Sequence, residues 1–450
     1  MTPEQRTLVR RLADEVGDAL ADEQQRREAS GRARLDDLGR EALAEQLVRS
    51  ALARLAEQRL GSEAMLDGEA EDRVAEAVID RVCGTRGFAR YLARDDVEEV
   101  VFNSHDNVWV YLADGTRFVG EPVADTPAEL VEDTRLLAST AGRTERRFDA
   151  GSPRLNLRLP DGSRLYAVMD VTGDSPAGAI RRSRYPRLDL DQMLALGSID
   201  KALHSLLTAM VHAGMRVVIS GETGSGKTAT LRALIALLDR AERVIAIEDT
   251  AELDLGRLRG PDSNTLELEA RQANVEGAGE VTQRDLVRDA LRLRPDWLVM
   301  AEVRGGEALD MLTAMSHGRR SLSTIHAARV ADVPEKLALY CLLAPERVPI
   351  DATHYLVHMS VDFIVHLREF PGQRRAVVEV AEVAQYDERT GKAQLNRVFS
   401  PGPDGRAVPG SASASGGGHL TAERLDRLVA AGFDDALLAN PRGWWSECAR

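Results

Sequence analysis

Apolar and polar positions along this chain change rhythm twice. Through residue 66 the sequence is rich in Ala, Arg, Glu and Leu, and Leu43, Leu47, Ala51 and Leu55 recur at helical spacing. That spacing predicts charged amphipathic helices. From 67 to 185 the pattern mixes periods. A helix is predicted from Glu71 to Val82, strands at 97–103, 108–112 and 116–119, and a helix after Pro127 whose apolar face is Leu130, Val131, Leu136 and Leu137. The alternating runs on either side of Asp161-Gly162 predict a hairpin, since that dipeptide suits a tight turn. This segment reads as a small α+β domain.

From 186 to 400 short apolar runs at 216–220, 243–247, 297–301 and 321–325 alternate with helices starting near Thr228, Thr282 and Gly306. Strands alternating with helices are the signature of an α/β domain whose parallel sheet is covered on both faces. Residues 401–418, PGPDGRAVPGSASASGGG, have the composition of a flexible linker, and 419–450 read as a short helical tail.

Composition narrows the partners. A net charge of −14 argues against non-specific nucleic-acid binding, which needs clustered basic surface. No apolar run approaches the ~18 residues that cross a bilayer, and the first residues lack the apolar core of a signal peptide. The expectation is a cytoplasmic protein, peripheral to the inner face of the membrane and touching it only through partners. Cys83, Cys341 and Cys448 are widely spaced and odd in number, a pattern that shows no metal spacing or disulfide framework and reads as buried or incidental thiols.

The chemistry concentrates in Gly221-Glu222-Thr223-Gly224-Ser225-Gly226-Lys227-Thr228, which fits G-x-x-x-x-G-K-[ST] between an apolar strand and a helix. In that setting backbone N–H groups and a helix N-terminus surround phosphate oxygens, Lys227 reaches the β/γ-phosphates and Thr228 ligates Mg²⁺. Lysine occurs only at 201, 227, 336 and 392, which makes Lys227 conspicuous. The strand 297–301 ends in Glu302, where a carboxylate would polarise Mg²⁺ or its water. Glu248, Asp249 and Glu252 follow the strand 243–247 as candidate bases for the attacking water. His326, after the strand 321–325, is a candidate γ-phosphate sensor; His317 is a weaker one. Arg154, Arg158, Arg164, Arg181 and Arg182 cluster in the preceding domain, and guanidinium forks suit phosphate oxygens.

The block from Arg271 to Asp296, and Ala301-Glu-Val-Arg-Gly-Gly-Glu-Ala-Leu-Asp-Met-Leu312, resemble the type II/type IV secretion traffic ATPases, nearest to the CpaF/TadA type that powers tight-adherence (Flp) pilus assembly. The likeness runs from about Asp96 to Phe399 and is strongest from Arg216 to Ala327. It implies a RecA-like P-loop ATPase domain after a smaller α+β domain, a homo-hexameric ring, ATP with Mg²⁺ between the two domains, and an inner-membrane platform protein as partner. It also implies roles: Glu252 as water-activating base, Glu248 and Asp249 in the same acidic box, Glu302 as the Walker B acid, His326 closing the His box, and Arg158, Arg181 or Arg182 on the γ-phosphate. The stretch Ser316-His317-Gly318-Arg319-Arg320 departs from the family pattern by one residue and displaces His317. Rival readings are a conjugative or protein-translocating type IV secretion ATPase, a RecA-like nucleic-acid motor, and a scaffold that binds ATP without useful turnover.

Overall fold

The computed structural model describes residues 3–30, 37–58, 68–82, 86–141, 147–159, 161–182, 188–271, 273, 278–372, 374–410 and 420–445. The chain divides into two compact units, 1–184 and 185–450.

The first unit begins with α1 (Pro3–Ala29), α2 (Asp37–Gln58) and α3 (Gly68–Val82). Leu12, Val16, Val48, Leu52, Val74 and Val78 form their common core. On α2 the buried stripe is Ala44, Val48, Ala51 and Leu52, with Leu43, Leu47 and Leu55 along its edge. The sequence groups α3 with the strands that follow. The structure packs it on α1 and α2, because Val74, Val78 and Val82 recur every fourth residue and make one face.

After α4 (Ala89–Leu92) come β1 (Val97–Phe102), β2 (Val108–Leu112), β3 (Arg117–Val119), α5 (Pro127–Ala141), β4 (Arg154–Arg158), β5 (Arg164–Val168) and β6 (Ala177–Arg181). The strands form an antiparallel six-stranded sheet in the order β3-β2-β1-β6-β5-β4. One face buries Val100, Phe102, Leu155, Leu157, Leu165 and Ile180 with Leu130 and Leu137 of α5. At the β4–β5 turn Gly162 takes φ 90°, which favours glycine, and Asp161 accepts the Ser163 N–H.

The second unit runs α6 (Leu190–Ala195), α7 (Lys201–His212), β7 (Val217–Gly221), α8 (Lys227–Ile235), β8 (Val244–Glu248), α9 (Leu255–Arg259), β9 (Thr265–Glu269), α10 (Gln283–Arg292), β10 (Trp297–Val303), α11 (Glu307–Ser316), β11 (Arg320–His326), α12 (Asp332–Leu343) and α13 (Ile350–Ser360). It continues with β12 (Phe363–Phe370), β13 (Arg374–Asp387), β14 (Lys392–Pro401), β15 (Ala407–Pro409) and α14 (Ala422–Ala430). The nine-stranded sheet has the order β15-β14-β13-β12-β7-β11-β10-β8-β9. From β12 to β9 it is parallel, and β13 to β15 extend it antiparallel. Both faces are buried: Val217, Ile219, Trp297 and Val299 face one core, and Val218, Leu298 and Met300 face the other. That explains why these strands read as continuous apolar runs. The mixed α/β fold expected from the sequence is the one observed.

Two expectations change near the end of the chain. Residues 401–410 are not a linker: β14 and β15 form a hairpin with Phe399 opposite Pro409, and Ala407 is fully buried. Glycine and proline here build a tight turn, with Gly405 at φ 83°. Residues 411–418 lie outside the described residues. Nor does the tail stand apart. Leu420, Leu428 and Phe433 enter the same core as Leu206 of α7, and the Trp445 indole donates to the Ala407 carbonyl at 2.8 Å.

Candidate active site

The loop after β7 is shaped by its glycines. Gly224 and Gly226 take φ 83° and 96°, and a Cβ on Gly221 would lie 2.4 Å from Ser225 Oγ and 2.6 Å from the Leu367 carbonyl oxygen. Gly226 is the N-cap of α8 and brings no side chain to it, so the helix's first N–H groups face the loop. Ser225 is buried and its hydroxyl has no hydrogen-bond partner among the described residues. Glu222 and Thr223 are exposed on the loop, and Thr228 is half-buried in the first turn of α8. A glycine-shaped cradle, an open helix N-terminus and an orphaned hydroxyl fit a phosphate chain.

Lys227 is buried. Its ammonium donates to the carbonyls of Gly221 at 3.1 Å and Glu222 at 2.8 Å, and lies 3.2 Å from His326 Nδ1. An ammonium has only donors, so Nδ1 is the acceptor and the ring proton belongs on Nε2. His326 Nε2 lies 2.7 Å from Glu302 Oε1, and the other Glu302 oxygen accepts from Arg304 at 2.5 Å. These residues meet because β7, β11 and β10 are parallel neighbours whose C-terminal ends coincide: His326 pairs with Gly221, and Val303 with Ile325. A register shift between Met300 and Val303 falls at Glu302.

The charges tune one another. Burial lowers the His326 pKa, the Lys227 ammonium lowers it further, and Glu302 opposes both; the ring is neutral near pH 7. Burial works to raise the Glu302 pKa, but Arg304, His326 and Lys227 together outweigh it and hold the carboxyl below its ordinary range. Arg304 also lies 3.9 Å from Asp249 and feels the charge of Glu252, so it joins the two acidic strand ends. Sequence reasoning did not single out Arg304. Its signal was the i, i+2 spacing from Glu302 at a strand end, which puts both on one face.

Glu248 occupies a different environment. It is 1% exposed, and burial, aided by Glu267 and Glu252, pushes its pKa up to about 8. Its Oε1 accepts the N–H groups of Glu252 and Leu253, each at 2.9 Å. Glu248 therefore holds the loop that carries Glu252. His317 caps the end of α11, with Nδ1 2.7 Å from the Thr313 carbonyl, and precedes β11, whereas His326 ends that strand.

Within the first unit, Arg158, Arg164 and Arg181 are direct cross-strand neighbours on the face opposite its core, and Glu99 follows Arg181 in the row. Arg182 points elsewhere, its guanidinium donating to the Arg94 carbonyl.

Among the described residues no group of three His, Cys, Asp or Glu is placed to hold a metal ion. Thr228, in the first turn of α8, and Glu302, near the end of β10, bring a hydroxyl and a carboxylate to the elements around the cradle. That set suits Mg²⁺, which keeps most of its shell as water and phosphate. No helix among the described residues is long and apolar enough to cross a membrane.

The chain is 34% identical over 307 residues to a putative conjugal transfer protein of Mycobacterium tuberculosis, covering 66% of this chain and 84% of that protein. It is 29% identical over 318 residues to the type IV secretion system protein PtlH of Bordetella pertussis, covering 64% and 91%. Among solved structures, the VirB11 ATPase of the Brucella suis type IV secretion system is 26% identical, covering 68% of this chain and 94% of that one, with a TM-score of 0.35. Residues 89–365 match the family described as type II/IV secretion system protein, and this chain belongs to that family.

Proposed function

We propose that this protein is an Mg-ATP-hydrolysing motor of a pilus-assembly or secretion system, of the CpaF/TadA type, working as a hexameric ring at the cytoplasmic side of an inner-membrane platform protein. The observation that carries the proposal is the convergence of Lys227, His326, Glu302 and Arg304 at adjoining strand ends beside the glycine cradle. Lys227 grips the phosphates, and neutral His326 lies between that lysine and Glu302. Glu252, held by Glu248, takes the proton of the attacking water. Thr228 and Glu302 would hold Mg²⁺, which supplies charge neutralisation to the phosphates when bound. Arg158 or Arg181 pairs with the terminal phosphate, Arg182 being held by the Arg94 carbonyl, and turnover drives motion between the two units.

The relatives' names favour one alternative, an ATPase of a conjugative or protein-translocating type IV secretion system. Both alternatives share the same chemistry. Phosphate release from Mg-ATP by the full chain tests it: Lys227→Ala and Glu302→Gln should each lower turnover by about a hundred-fold or more. Native mass spectrometry should find six copies. Wild-type turnover no faster than that of Glu302→Gln would refute the motor.

A further inference from the structure

Residues 249–254 join β8 to α9 and carry Glu252. Carboxylates hold this loop by its backbone. Beyond the two bonds to Glu248, Glu269 Oε1 accepts the Ala251 N–H at 3.1 Å and Glu267 Oε1 accepts that of Leu255 at 2.6 Å. The Glu252 carbonyl in turn accepts from Arg232 at 3.2 Å. Register explains the grouping. β9 runs parallel to β8 with Ala246 opposite Glu267 and Glu248 opposite Glu269, so these glutamates share one face while Leu266 and Leu268 pack into the opposite core.

Crowding three carboxylates is costly, because like charges disfavour ionisation. A strand needs no such residues at these positions; threonine or valine would pair as well at no electrostatic cost. The loop itself shows what the acids secure. Asp254 sits at φ 52° and ψ 55°, a conformation that needs external support, between Leu253 and Leu255, which are fully buried.

We infer that Glu267 and Glu269 are positioning residues for hydrolysis: they act through the backbone of 249–255 to fix Glu252 where it can activate water, without touching the nucleotide. This rests on the ATP-hydrolysis reading of the site. Only an acceptor oxygen is required, so glutamine should serve and alanine should not.

The test compares Glu267→Ala/Glu269→Ala with Glu267→Gln/Glu269→Gln in the full chain, measuring kcat for phosphate release, KM for ATP and affinity for a fluorescent ATP analogue. The alanine pair should lose about ten-fold or more in kcat with KM and affinity held within about two-fold, as expected for a displaced catalytic group. The glutamine pair should stay within about two-fold of wild type. Should the alanine pair not fold, Glu269→Ala alone is read by the same criterion. Alanine variants with wild-type kcat, or a glutamine pair as slow as the alanine pair, overturn the inference while leaving the motor standing. A wild-type chain that binds the analogue and releases no phosphate removes both.

Discussion

Glu302 has one oxygen close to His326 but without a hydrogen bond among the described residues, and the other on Arg304, so the arginine is what holds its carboxylate. Removing the arginine frees the carboxylate and leaves the acid more exposed to its own desolvation cost. Arg304→Ala should therefore lower ATP turnover by about ten-fold, the usual effect of losing a partner that orients a functional ligand; steady-state phosphate release measures it. Glu248 gives a second expectation, with a definite sign. Its folded pKa of about 8 exceeds the ordinary 4.5. Between those values the folded chain holds a proton that the unfolded chain has released, so this group lowers stability as pH rises from 4.5 to about 8 and adds no further slope above. Glu248→Gln, which copies the protonated acid, should match wild type near pH 5 and be the more stable at pH 9 in denaturant melts. Lys227, Glu302 and His326 were legible because a motif and two strand ends mark them. Arg304 and the roles of Glu267 and Glu269 were not, since they depend on which strand lies beside which.

At the scale of elements, β7, β8, β10 and β11 announced themselves because both their faces are buried and only apolar residues satisfy that. The hairpin at 401–410 hid behind its composition, for Gly, Pro and Asp serve a tight turn as readily as a linker. The seat of α14 was equally hidden. Thr421 and Arg424 donate to Glu382, which is fully buried, and Arg424 also reaches Asp362, which accepts from Arg216. A polar network between segments this distant leaves no local periodicity to read. It does make a strong energetic prediction. Arg424→Ala strands Glu382 inside the fold and should cost about 3–5 kcal/mol, whereas a surface arginine would cost next to nothing. Leu428→Ala should cost about 2–5 kcal/mol by leaving a cavity. Urea unfolding of each variant checks both.

Across the whole molecule, the second unit is closed by its far end. Asp200 caps α7 with one carboxylate oxygen and receives the Trp444 N–H on the other at 2.7 Å, across 244 residues. The Asp434 N–H reaches Ser205 across 229. A ribosome delivers these partners in order and slowly, at roughly 5–20 residues per second. For many seconds the nascent second unit must wait without Leu428 and Phe433, which belong to the same core as Leu206. Stalled chains ending before residue 420 should be cut readily by protease within 188–400, and chains released past Trp445 should resist; equal resistance of the two would show that the half matures without its closing strap.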